Sequence, residues 1–125
     1  MTIEHSEWKS RLEYLASLKQ GWCNGEGEPV PDSVIATVDE FLAVVSRHPS
    51  ISYDGRHPGL FPLVSAPGVQ VEWWHDGVEW DIEFTEMGAT VCAFSPSEDF
   101  EVVVPAGKFL VKRVVSEIRG IQGRL

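Results

Sequence analysis

Two carboxylates in the middle of the chain, Glu72 and Asp81, have the residue type and spacing that acid–base chemistry would need. The alternating sequence on both sides of Asp76-Gly77 predicts two paired strands on which these side chains lie opposite each other. Cross-strand carboxylates could lie near the separation that retaining glycosidases use. Catalysis would require burial to raise the pKa of one of them, and on an open sheet face we expect no such shift.

The histidines and cysteines give no sign of a metal or cofactor site. The four histidines have no HxH or HxxxH spacing, and the two cysteines, Cys23 and Cys92, have no CxxC spacing and no neighbouring ligand. Cys23 lies in a glycine-rich loop next to Glu26 and Glu28, which disfavour a reactive thiolate. We therefore predict no catalytic residue, no cofactor and no metal, and two structural thiols.

The distribution of charge is the most unusual feature of the chain. The formal net charge is −9, and no lysine or arginine occurs between Arg56 and Lys108. That segment contains nine carboxylates: Glu72, Asp76, Glu79, Asp81, Glu83, Glu86, Glu98, Asp99 and Glu101. Such a surface repels nucleic acid and anionic membranes, which need clustered cations, and attracts basic partners.

The best-determined element is a hairpin of residues 69–74 and 79–84, closed by the Asp76-Gly77 turn. Its register predicts an apolar face on which Trp73 lies opposite Trp80, Val71 opposite Ile82 and Val69 opposite Phe84. On the other face, Trp74 lies opposite Glu79, Glu72 opposite Asp81 and Gln70 opposite Glu83. A slip of one residue would destroy this sorting, so turn and pattern agree.

Two further strands are predicted after this hairpin. Met87-Gly88 is expected to close a second two-residue turn, with Phe84 opposite Val91 and Ile82 opposite Ala93. Thr90, Cys92 and Phe94 would then join the acidic face. A last strand is predicted over 100–104, with Phe100, Val102 and Val104 pointing inward.

Helical periodicity flanks the strands on both sides. It predicts helices over 4–19, over 33–47 with Asp32 or Ser33 as the cap, and over 106–119, separated by a glycine- and proline-rich loop at 21–31. A turn at Asp54-Gly55 and a short strand at 61–65 are also expected. The sequence thus predicts a single α+β domain over 1–125, with two N-terminal helices, an antiparallel meander of four to five strands and one C-terminal helix.

Several short motifs resemble those of a group of small, mostly uncharacterised bacterial proteins. They are Leu15-Ala16-Ser17-Leu18 before Gly21-Trp22, then Gly25, Gly27 and Pro29, then Pro67 to Trp73, and Ile82-Glu83-Phe84, which together span about residues 12–85. That group commonly has Asp or Asn and then Gly after the first Trp, where this chain has Cys23. The resemblance implies a small cytosolic protein, in some cases from a mobile or defence-related gene neighbourhood, and it implies no activity and no catalytic residue.

These observations favour a non-catalytic binding protein of the antitoxin, immunity or phage-inhibitor type. The predicted binding residues are Glu72, Trp74, Glu79, Asp81, Glu83 and Phe94, and the predicted partner is a basic protein such as a nucleic-acid-binding enzyme. The polar N-terminus has no secretory h-region, so we expect a cytoplasmic location. Two alternatives remain open: a small hydrolase that uses the acidic pair, and a structural protein whose basic third helix docks on the acidic sheet of another copy. Equally, the carboxylates could serve only to keep a solvated sheet face soluble.

Overall fold

A five-stranded antiparallel sheet, with its strands in chain order, forms the centre of the computed structural model. The structure describes residues 5–48, 51 and 58–125, with side chains described from Trp8 onward. The elements are α1 (His5–Ala16), α2 (Asp32–Ser46), β1 (Gly59–Pro62), β2 (Gly68–His75), β3 (Val78–Thr85), β4 (Gly88–Phe94), β5 (Asp99–Pro105) and α3 (Leu110–Gln122). The α+β class predicted from the sequence is confirmed.

The β2–β3 hairpin has the register that the sequence predicts. Trp73 pairs with Trp80 and Glu72 with Asp81, and the other four predicted pairs also form. Asp76 and Gly77 have φ values of 51° and 77°, as a two-residue turn with two left-handed positions requires. The turn therefore determines which side chains enter the core.

The predicted register of the second hairpin is wrong by two residues. Phe84 pairs with Ala89 and Ile82 with Val91, because Glu86-Met87 forms the turn and Gly88 already belongs to β4. Gly88 has a φ of 132°, and a Cβ there would overlap the backbone oxygen of Val104. Glycine is thus needed for a close approach of β5 rather than for a turn position. Because the shift is even, each side chain keeps its predicted face.

Aromatic side chains dominate the core between the sheet and the helices. The rings of Trp73 and Trp80 are stacked with centroids 5.9 Å apart, and both residues are buried. From α2, Phe41 packs against Trp73 at 6.1 Å and against Phe84 at 5.3 Å. The described helices all pack on this one side: α2 lies against β2 and β3, and α3 lies against β4 and β5.

The first helix packs into the core through Trp8, Leu12 and Leu15 and also makes polar contacts with Asp39 of α2. The Trp8 indole Nε1 donates a hydrogen bond to Asp39 Oδ1 at 3.0 Å, and Lys9 Nζ lies 2.6 Å from Asp39 Oδ2. Arg11 Nε donates a hydrogen bond to the backbone oxygen of Leu60 in β1 at 2.9 Å. These contacts join α1 to both the helical layer and the edge of the sheet.

Several predicted boundaries need correction. In α1 the helix ends at Ala16 rather than at 19: the Ser17 N–H is shared between the oxygens of Glu13 and Tyr14, and the Leu18 N–H bonds to the Leu15 oxygen only three residues back. The N-cap of α2 is Pro31 in extended conformation, not Asp32 or Ser33, and no side chain caps this helix. At the end of the chain, α3 begins at Leu110 instead of 106, since Gly107 starts a separate turn after β5.

Near β1 the structure differs from the sequence prediction as well. The strand covers 59–62 rather than 61–65, and the Leu63 N–H closes the turn by bonding to the Gly68 oxygen. Val102, predicted to point inward, is only partly buried against the core. The expected Asp54-Gly55 turn and the first residue of the predicted 4–19 helix lie outside the described residues.

We expect Gly88→Ala to destabilise the protein by more than about 2 kcal/mol, because the new Cβ would meet the Val104 backbone oxygen at a positive φ. Urea unfolding measures this change. Gly120→Ala in α3 is the matched control, since open space surrounds that position, and we expect it to stabilise by up to about 1 kcal/mol. Equal effects of the two substitutions would contradict the packing at Gly88.

Candidate functional site

The candidate site is the sheet surface that points away from the helices, called the outer face below. Strand pairing arranges its side chains in three rows across the sheet. The first row is Trp74, Glu79, Phe94 and Asp99; the second is Glu72, Asp81, Cys92 and Glu101; the third is Phe61, Gln70, Glu83, Thr90 and Val103. The structure therefore brings all six predicted binding residues together on one surface.

Six carboxylates give the outer face a strongly negative charge: Glu72, Glu79, Asp81, Glu83, Asp99 and Glu101. The five strands contain no lysine or arginine that could neutralise them. In the described part of the chain, the Lys9–Asp39 ion pair and the contact of His75 Nε2 with Asp76 Oδ2 at 3.3 Å lie off this face. The negative field of the face thus remains available to a cationic partner.

Large apolar side chains lie exposed among these carboxylates. Trp74 is 51% exposed, Phe61 45%, Phe94 40% and Val103 71%. Trp74 and Phe94 flank Glu79 directly in the first row. Exposed aromatic rings next to carboxylates are typical of surfaces that bind proteins, because the rings supply apolar contact and the carboxylates supply specificity.

Seven members of the outer face were not among the predicted binding residues. The sequence places three of them, Gln70, Thr90 and Cys92, on this face, and it does not place the other four, Phe61, Asp99, Glu101 and Val103. The outward positions of Glu101 and Val103 follow from the alternation of β5, since Phe100 and Val104 on either side are buried. Phe61 could not be placed from the sequence, because the four-residue β1 has too few residues to show an alternating pattern.

The electrostatic centre of the outer face is Asp81 on the middle strand. Burial among its neighbours, followed by the charges of Glu79, Glu72 and Glu83, raises the pKa of Asp81 from 3.8 to about 7. Desolvation disfavours the charged carboxylate, and each nearby anion adds to that effect. The expectation that an open sheet face would cause no shift is therefore wrong for Asp81.

A hydrogen bond with Glu79 also contributes to the raised pKa of Asp81. Two carboxyl groups can share a hydrogen bond only when one of them carries a proton, so this contact favours the protonated form. Asp81 Oδ1 is buried and, in the described part of the chain, has no hydrogen-bond partner. An ionised Asp81 would thus leave a charged oxygen without compensation, whereas a protonated one would not.

Cys92 lies next to Asp81 in the second row and shares its environment. Burial, followed by the charges of Glu101, Asp81 and Glu83, raises the pKa of the Cys92 thiol above its usual range. The thiolate is the reactive form of cysteine, and this surface suppresses it. Cys23 and Cys92 are both free thiols, and Cys92 acts as a small apolar side chain within the outer face.

No group of three or more His, Cys, Asp or Glu side chains among residues 5–48, 51 and 58–125 is arranged to hold a metal ion. Every helix in the same part of the chain is too short or too polar to cross a membrane. Comparisons with protein-family models, curated proteins and solved structures found no match to this chain.

We expect Asp81→Asn to stabilise the fold at pH 8 and to have little effect at pH 4. A folded-state pKa raised from 3.8 to about 7 means that protonated Asp81 favours the fold below pH 4, and that this advantage is lost as pH rises towards and through 7. Urea unfolding of wild type and variant at pH 4, 6 and 8 measures the difference.

Glu13→Gln in the exposed part of α1 serves as the control, because it removes the same charge away from the sheet. Its effect should not grow between pH 4 and pH 8 in the same way. NMR titration of the Asp81 carboxyl carbon should give a midpoint near 7. A midpoint near 4 would contradict the desolvated environment described for Asp81.

Proposed function

We propose that the protein acts by stoichiometric binding of a basic protein partner to the outer face. Three features support this function: six carboxylates with no cation on any strand, exposed aromatic rings among them, and the placement of all described helices on the opposite side. Complementary charge accelerates association with a cationic partner and excludes anionic competitors.

The row formed by Trp74, Glu79, Phe94 and Asp99 is the observation that carries the proposal. Aromatic and acidic side chains alternate along it across four strands. An arginine or lysine of the partner can pair with a carboxylate there while its side chain packs on an adjacent ring. The same row offers little to a nucleic acid, which would be repelled by the carboxylates.

This function belongs to the class of antitoxins, immunity proteins and phage-encoded inhibitors, which act without catalysis in the cytoplasm. The partner that fits best is a basic protein such as a nucleic-acid-binding enzyme, because its substrate groove is itself shaped to receive a polyanion. Bound there, the carboxylates of the outer face would take the place of phosphates. The resemblance to small bacterial proteins of defence-related gene neighbourhoods is compatible with this role.

We expect Glu83→Lys with Glu101→Lys to weaken capture of the partner from native lysate and to slow its association at least about tenfold at low salt. Both side chains are exposed, so the exchange reverses charge without disturbing the core. After the partner is identified by capture, surface plasmon resonance at 50 to 500 mM salt measures the association rate.

The matched control is Glu13→Lys with Glu28→Lys, which makes the same change in net charge at exposed positions outside the sheet. The control variant should bind like wild type. The association rates of the wild type and of the control variant should both fall as salt rises. An association rate independent of salt, or equal effects of the two double variants, would refute binding through the outer face.

The raised pKa of Asp81 favours a second candidate function, a small hydrolase of carbohydrate substrates. A carboxyl group with a pKa of about 7 can serve as a general acid at neutral pH, and Glu72 on the paired strand would be the second carboxylate. The cross-strand arrangement is compatible with the short carboxylate separation of retaining enzymes.

Hydrolysis of a panel of nitrophenyl glycosides distinguishes this second function from the first. If Asp81 is a general acid, Asp81→Asn should lower the rate by about a hundredfold or more, and the wild-type rate should fall above pH 7. Glu13→Gln should leave the rate unchanged. No hydrolysis by wild type, or full activity of Asp81→Asn, would remove the hydrolase function and leave the binding function standing.

A further inference from the structure

The two edges of the sheet are not equivalent. At the β1 edge, Arg11 of α1 donates a hydrogen bond to the Leu60 backbone oxygen at 2.9 Å, so that edge is already occupied by a side chain. At the other edge, β5 runs for seven residues from Asp99 to Pro105. Long, unprotected edge strands are uncommon, because their free backbone groups can pair with another chain.

The register of β5 determines which of its backbone groups are free. Pro105 lies opposite Gly88 and has no N–H, so these two residues form a non-hydrogen-bonded pair. The next pair along the chain, Ala106 and Met87, is hydrogen-bonded, because the Ala106 N–H donates to the Met87 oxygen at 2.9 Å. Hydrogen-bonded and non-hydrogen-bonded pairs alternate along an antiparallel ladder. The N–H and C=O groups of Asp99, Glu101 and Val103 therefore point away from β4.

These outward groups take part in no other backbone hydrogen bond within the described chain. No backbone hydrogen bond joins the N–H of Glu101 or Val103 to another described residue. Val103 is 71% exposed, more than any other large apolar side chain in the described strands. A row of free donors and acceptors thus lies beside an exposed apolar side chain.

The side chains along this edge continue the outer face. Asp99, Glu101 and Val103 belong to its three rows, and they end those rows at the open edge. A strand added beside β5 would place alternate side chains next to Asp99 and Glu101, and lysine or arginine would fit there by charge. Its other side chains would cover Val102, which is only partly buried.

We propose that an extended basic segment of the partner adds to β5 as a sixth strand of the sheet. Its backbone pairs with the free groups of Asp99, Glu101 and Val103, and its cationic side chains alternate with apolar ones. The inference rests on the proposed function, because it specifies how the basic partner reaches the outer face. The affinity then comes from the main chain and the specificity from the alternating charges.

A nine-residue peptide of alternating lysine and valine serves as the probe. Isothermal titration should show it binding to the wild type, and about tenfold more weakly to Val103→Pro, which removes one outward N–H and hinders close approach. Val103→Thr keeps the N–H and the branched shape and should bind within about twofold of wild type. Hydrogen exchange should show the amides of Glu101 and Val103 becoming protected when the peptide binds.

A second probe makes the test independent of how well Val103→Pro folds. The same peptide with alternate backbone nitrogens methylated keeps its charge but cannot pair along one edge, and we expect it to bind at least about tenfold more weakly. Equal binding of the two peptides, or no protection of Glu101 and Val103, would overturn strand addition. Sedimentation showing that the free protein dimerises through β5 would mean that a second copy of the chain, and not a basic segment of the partner, pairs with this edge.

The result also separates this inference from the proposed function. If the methylated and unmodified peptides bind equally and Glu83→Lys with Glu101→Lys abolishes both, the outer face binds cations without adding a strand. If neither peptide methylation nor charge reversal changes the affinity, the binding function fails together with the strand addition.

Discussion

The stacked pair of Trp73 and Trp80 is the contact on which the rest of the structure depends. Their rings lie parallel in the core beneath Phe41, and they can do so only in the register set by the Asp76-Gly77 turn. Side chains alternate between the two faces of a strand, so a shift of one residue would exchange the faces completely. Burial of the indoles therefore also determines where the carboxylates lie.

The free energy gained by burying the core side chains is large enough to tolerate the repulsion among the carboxylates of the outer face. Burying one large apolar side chain contributes about 1.5–3 kcal/mol, and many are buried here, whereas a directly opposed like-charge pair such as Glu72 and Asp81 is destabilising. The raised pKa of Asp81 reduces that cost further, because a protonated Asp81 adds no charge. Hydrophobic burial thus dominates, and the repulsion remains on the surface, where a cationic partner would relieve it.

The sequence predicts the elements governed by local rules and misses those governed by tertiary neighbours. Asp76-Gly77 gives the β2–β3 register because two left-handed positions fit few other residue pairs. The prediction of Gly88 as a turn residue is wrong, because its positive φ allows a close approach of β5 that local sequence does not reveal. All six predicted binding residues share the outer face, but the altered pKa of Asp81 depends on burial by neighbouring strands and could not be predicted.

The outer face should attract cations from solvent, whereas the paired indoles are shielded from it. NMR relaxation by soluble paramagnetic probes of matched size, one cationic and one neutral, measures both properties in the free protein. We expect the cationic probe to relax protons of Trp74, Phe94 and Glu83 much more than the neutral one does, with Trp73 and Trp80 little affected by either. Equal relaxation by the two probes at Trp74, or strong relaxation of the buried indoles, would contradict it.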